Sequence, residues 1–143
     1  MKTFLTQYRA ALLMLLVALS ISACKKDSNE PSPDLGTRAA GQYTFSELTF
    51  DGKTLPASQT NLKGTVSVVR QTATNVSMEL NITSKSTNED FLVGSVDNID
   101  LVNSGSDVEF RAQGDKVATL SSKKLTIRGR DDNDVEFSII ATK

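Results

Sequence analysis

The chain offers few groups able to do covalent or acid–base chemistry. Its 143 residues contain no His and a single Cys, Cys24. Without His there is no histidine base, no His-assisted cysteine nucleophile and no zinc site of the Cys/His kind, and one Cys cannot form a disulfide within the chain. Carboxylates, lysines, tyrosines and hydroxyls remain. Glu79 and Glu109 fall on the polar parity of strand-like segments, so they do not read as the facing carboxylate pair of a glycosidase. Asp131, Asp132, Asn133 and Asp134 cluster oxygen ligands of the sort Ca²⁺ takes, but they lack the glycine and distal glutamate of the helix-loop-helix calcium motif and read as a polar hairpin turn. Lys123, Lys124, Arg128 and Arg130 read as a solvated basic face beside Asp131 and Asp132. The expectation is a non-enzyme without cofactor or metal. Sixteen Lys and Arg against 17 Asp and Glu leave a net charge of −1, which is no electrostatic footprint for nucleic acid.

Cys24 is the residue whose surroundings imply chemistry. Lys2 and Arg9 make a positive start, an apolar Leu-rich run follows from Ala10 to Ile21, and the small residues Ser22 and Ala23 precede the cysteine. This is the layout of a secretory signal, and the run falls short of the roughly 20 residues a spanning helix needs. The tetrad Ile21-Ser22-Ala23-Cys24 resembles the bacterial lipobox. That resemblance implies a thiol that takes a thioether-linked diacylglycerol, cleavage before the cysteine, and further acylation, which together give a stable membrane anchor. Lys25-Lys26-Asp27 after the cysteine resembles lipoproteins of the Bacteroidota group. No Asp directly follows Cys24, so nothing resembles the usual inner-membrane retention signal. The outer membrane of a bacterial envelope is the expected location, with either leaflet open.

The elements that follow are β. Residues 1–23 are read as the signal, 24–40 as the lipidated cysteine with a disordered tether rich in Pro, Ser and charge, and 41–143 as the domain. In 74–84, Val76, Met78, Leu80 and Ile82 alternate with Ser77, Glu79, Asn81 and Thr83, the period of a strand with one buried face. Residues 41–50 begin on one parity with Tyr43 and Phe45 and continue on the other with Leu48 and Phe50, which predicts a bulge. Further strands are expected over 64–71, 91–103, 107–112, 116–120, 124–129 and 134–142. Short polar turns join them, and no helical pattern supplies the crossovers a parallel sheet requires. The prediction is all-β: an antiparallel meander of about eight strands closing into a small barrel, with a β-sandwich as the alternative. Segment 51–63 is read as one long loop in which Leu55 and Leu62 either cap the core or form a lid.

Gly41-Gln42-Tyr43 at the head of a bending first strand, a long loop and a run of hairpins resemble the lipocalin-like, or calycin-like, small barrels of Bacteroidota lipoproteins over residues 41–143. Lipocalins proper carry Gly-x-Trp where this chain has Tyr43, and their Thr-Asp-Tyr motif has no match here. The resemblance implies that the aromatic plugs one barrel end beneath a basic residue from the last strands, for which Arg128 and Arg130 are the candidates. An eight-stranded barrel is just wide enough to be filled by its own side chains or to hold one small ligand. Tyr43, Phe45, Met78, Leu80, Phe110, Ile127, Phe137 and Ile139 are expected to point inward. Their bulk predicts a largely filled interior and at most a shallow pocket near 51–63, with Tyr43, Phe45, Met78, Phe110 and Phe137 as candidate lining residues. Two functions fit: a binding module for a small apolar or amphipathic ligand, or an interaction lipoprotein whose filled barrel docks another envelope protein.

Overall fold

Alternation of apolar and polar residues dictates the sheet. In the strand Asn75–Ser84 the residues Val76, Met78, Leu80 and Ile82 are all buried, while Glu79 and Asn81 between them are exposed. The computed structural model describes residues 32–131 and 133–143. They form β1 (Gly41–Phe50), β2 (Lys53–Pro56), β3 (Leu62–Arg70), β4 (Asn75–Ser84), β5 (Asp90–Ser104), β6 (Asp107–Ala112), β7 (Asp115–Ser121), β8 (Lys124–Arg130) and β9 (Glu136–Thr142). All pairings are antiparallel, in the order β2-β1-β3-β4-β5-β6-β7-β8-β9. Pairing of β1 with β9 closes the sheet on itself, so the fold is an eight-stranded barrel with β2 as an extra strand, and the sandwich alternative is excluded.

The expected slip in the first strand is present and is what allows closure. Gly41–Thr44 pair with β3, while Thr44–Phe50 pair with β9, with a register shift between Phe45 and Glu47. The extra residue, Ser46, donates its hydroxyl to the Ile140 carbonyl at 3.1 Å. The bulge turns the strand from one neighbour to the other and restores Leu48 to the inner parity. At Gly64 (φ +153°) β3 runs so close to β4 that a Cβ would strike the Asn81 carbonyl.

Two parts of the sequence reading are corrected. Segment 51–63 is not one loop. Asp51 and Gly52 both have positive φ, 48° and 72°, and make the two-residue turn of a β1–β2 hairpin, with Phe50 opposite Lys53 and Leu48 opposite Leu55. A short 3₁₀ turn, Ala57–Gln59, follows. The Lys85 ammonium donates to the Ala57 and Thr60 carbonyls and the Lys85 N–H to the Asn61 carbonyl, so the segment is tied to the β4–β5 turn. Leu55 is exposed on β2, and Leu62 opens β3 half-buried against the core.

The second correction concerns the tether. The compact unit begins at Pro33 rather than Gly41. Leu35–Ala39 form a short helix, α1, capped by the Asp34 carboxylate, which accepts the Thr37 N–H at 2.7 Å. Arg70 on β3 grips the same carboxylate through Nε and Nη2 at 3.2 and 2.8 Å. Gly36 and Ala39 are buried against the barrel end, and a Cβ on Gly36 would collide with the Thr72 carbonyl. Polar composition across 25–40 concealed these anchor points, each of which pairs with residues more than 30 positions away. Cys24 and the tetrad before it lie outside the described residues, as does Asp132.

Candidate functional site

The candidate lining residues are brought together, but as core. Tyr43, Met78 and Phe110 belong to one buried cluster with Val66, Ile99 and Leu125. Phe45 belongs to a second with Ile82 and Ile139, against which Leu48, Leu62 and half-buried Phe137 pack. No polar or charged residue is buried among the described residues. The barrel axis is therefore occupied by interlocked side chains, with Tyr43, Phe45, Met78 and Phe110 buried in the core and Phe137 only half-buried at its edge.

Tyr43 fixes one end of the barrel. It is fully buried, and its hydroxyl donates to the Ala39 carbonyl at 2.6 Å, which ties β1 to α1. The cation over its ring is Lys143, with Nζ 4.8 Å from the centroid. This corrects the assignment of that role to Arg128 or Arg130. Those residues sit at the far end of β8, whereas the C-terminus of β9 returns to the Tyr43 end. Lys143 also donates to the Arg38 and Ala40 carbonyls at 3.3 and 3.0 Å. Burial pushes the Tyr43 phenol up to about 12, and burial, with Lys123 nearby, pushes the Lys143 ammonium down.

At the opposite end the β6–β7 hairpin is short. It pairs with β5 only from Asp100 to Ser104 and with β8 only from Lys124 to Ile127. Arg128–Arg130 run past it, paired on β9 alone. An open groove of about 530 Å³ lies there, lined by Thr49, Lys116, Arg128, Arg130, Glu136 and Phe137 among others. Gly129 forms part of its floor, with the Phe137 ring packed so closely on it that a Cβ would strike the ring. Arg130 spans Asp134 and Glu136 at 2.9 Å each, and both hold its guanidinium charged. Lys116 and Arg111 pair with Glu109 at 2.9 and 2.8 Å and hold that carboxyl below the usual range, Lys116 contributing more. Arg128 is exposed and makes no ion pair or side-chain hydrogen bond among the described residues. The groove thus presents one uncommitted guanidinium, two committed cations, hydroxyls from Thr49 and Ser138, and one aromatic edge.

In the acidic turn Asp131 Oδ1 accepts the N–H groups of Asn133 and Val135, both at 2.9 Å. Sequence reasoning named the basic residues of β8 but treated them as a solvated face. The groove arises because the β6–β7 hairpin stops early, a length mismatch that is legible in the strand lengths but not in any motif.

No protein-family model matches the chain. No curated protein matches it either. Among solved structures it is similar to a de novo designed fluorescence-activating β-barrel, at 19% identity and a TM-score of 0.43, over 77% of this chain and 97% of the designed one.

Proposed function

We propose that this chain is a lipocalin-like lipoprotein of the Bacteroidota type, held in the outer membrane of a bacterial cell envelope by acylated Cys24, and that it acts as a non-catalytic binding module for a small amphipathic ligand. Tyr43 beneath Lys143 at a helix-closed barrel end supports the lipocalin-like reading. The observation that carries the function is the contrast between a filled interior and an open groove of about 530 Å³. A wholly apolar ligand has no dry volume to enter. An amphipathic one can set an anionic head on Arg128, between Lys116 and Arg130, and lay its apolar part along Phe137.

The test is a titration of the mature chain carrying Cys24→Ser with monomeric dodecyl phosphate, followed by calorimetry. Saturable binding is expected, weakened about tenfold or more in Arg128→Ala because a charge-assisted hydrogen bond is lost. Binding that is unchanged by Arg128→Ala, or matched by dodecanol, overturns this reading. The second reading, a filled barrel that docks another envelope protein, is favoured by the exposed apolar side chains of Phe91 and Val93.

A further inference from the structure

β5 is 15 residues long, and its two neighbours take different parts of it, β4 pairing as far as Asp100 and β6 from Asp100 onward. β6 pairs with Asp100–Ser104, while among the described residues Asp90–Val96 pair with β4 alone. The free edge is regular over Leu92–Val96 and is bounded by a register shift on each side, one at Phe91 and one at Asp97-Asn98. A bare edge of this kind is normally blunted by Lys or Pro, and residues 90–98 contain neither. Instead Phe91 is 50% exposed, Val93 50% and Val96 37%. On the inner face the contrast is sharper. Gly94 and Val96 lie opposite Leu80 and Met78. The β4 partners are buried, whereas Gly94 and Val96 are exposed, because among the described residues no strand continues the wall beyond them.

Among the described residues neither backbone conformation nor crowding requires glycine at position 94. Its φ is not positive, and a Cβ there would meet nothing within 4 Å. Glycine in a strand interior weakens the strand, and it often marks a bulge, a barrel bend or the close approach of a ligand or another backbone; a second backbone is the case a bare edge invites. Gly94 is also the centre of the regular stretch Leu92–Val96. An antiparallel pairing of two copies about a two-fold axis through Gly94 sets Leu92 opposite Val96 of the other copy and Gly94 opposite Gly94. Val93 then faces Ser95, Phe91 faces Asp97 and Asp90 faces Asn98. Every exposed inner-face apolar residue is covered, and no carboxylate stands opposite another.

We infer that this chain forms a two-fold homodimer by antiparallel pairing of the β5 edges over Leu92–Val96, the two barrels sharing one continuous sheet. The interface is isologous and closes on itself, so it uses up both bare edges without starting a fibre. It rests neither on the anchoring of Cys24 nor on the groove.

The test uses the mature chain with Cys24→Ser, which carries neither a lipid nor a native thiol. Sedimentation equilibrium is expected to give twice the chain mass. Val93→Asp places a carboxylate diagonal to Asp97 of the other copy and is expected to give the single-chain mass with an unchanged far-ultraviolet spectrum; Val93 is exposed, so the fold does not depend on it. Gly94→Cys, opposite itself across the axis, is expected to form a disulfide-linked dimer on mild oxidation, whereas Gln113→Cys at the β6–β7 tip does not. A single-chain mass for the parent up to high micromolar concentration, or a dimer that survives Val93→Asp, overturns the inference. A dimer in which Gly94→Cys fails to cross-link overturns the register.

Discussion

Tyr43 is held from three sides: its ring by the core, its hydroxyl by the Ala39 carbonyl, and its face by the Lys143 ammonium. Tyr43→Phe keeps the ring and leaves the Ala39 carbonyl without its donor, so a loss of about 1–2 kcal/mol in urea unfolding is expected. The pH dependence has a definite sign. A phenol whose pKa rises on folding binds its proton more tightly in the native state, so its contribution is complete below pH 10 and is lost between pH 10 and about 12. Lys143, pushed down by burial, acts in the opposite sense. Comparing Tyr43→Phe with the parent across the alkaline range isolates the tyrosine, and the variant is expected to lose the steeper decline. Asp34 behaves as the mirror case. Arg70, with help from the Thr37 N–H, holds its carboxyl well below the usual range. The contribution is therefore full above the ordinary carboxylate range and is lost as the pH falls below it. The pair is exposed, so salt is expected to reduce it.

At the level of elements, two short pieces hidden in polar segments decide the ends of the barrel. α1 is too short to be stable alone. It exists because its cap is clamped by Arg70, the Gly36 N–H donates to the Ala73 carbonyl at 2.8 Å, and Ala39 is buried. Asp34→Ala is expected to raise amide hydrogen exchange at Arg38 and Ala40 while leaving β4 protected. β2 was legible in principle: Asp-Gly between apolar strand residues is a strong two-residue hairpin signal, and here it sits between Phe50 and Leu55. Pro56 and the polar run after it made the segment read as a loop. Gly64 belongs to the same scale. Gly64→Ala must move β3 away from the Asn81 carbonyl, and a loss of at least about 2 kcal/mol is expected by thermal or urea unfolding.

For the whole molecule, the strands differ in length and the wall follows. The long β4–β5 pair rises past the short β6–β7 hairpin, which leaves a basic groove on the β8 side and a bare apolar edge on the β5 side. Binding at the groove is expected to weaken as ionic strength rises, since its cations are exposed and screened over about 10 Å at 0.1 M salt; calorimetry at two salt concentrations checks this. The proposed anchor acts on the same scale, because it sets where the barrel works. Cys24→Ser is expected to abolish incorporation of labelled fatty acid and to leave uncleaved precursor, both visible on one gel.

The sequence by itself determined the strand pattern and the antiparallel meander; the choice of closed barrel over sandwich fell to the β1–β9 pairing, which joins the two ends of the domain. Alternation in 74–84, the parity slip in 41–50 and the short polar turns are local features, and antiparallel pairing of consecutive strands needs only local information. It also showed that the residues expected to point inward are bulky, from which a largely filled interior is an expectation. Tertiary structure alone decided what lies over Tyr43, because Lys143 reaches it from the far end of the chain, and it alone decided that 35–39 is a docked helix. Above all it decided where the wall is open. Whether Gly94, Val96 and Arg128 are exposed depends on where neighbouring strands end, and that is a relation between elements that no single segment carries.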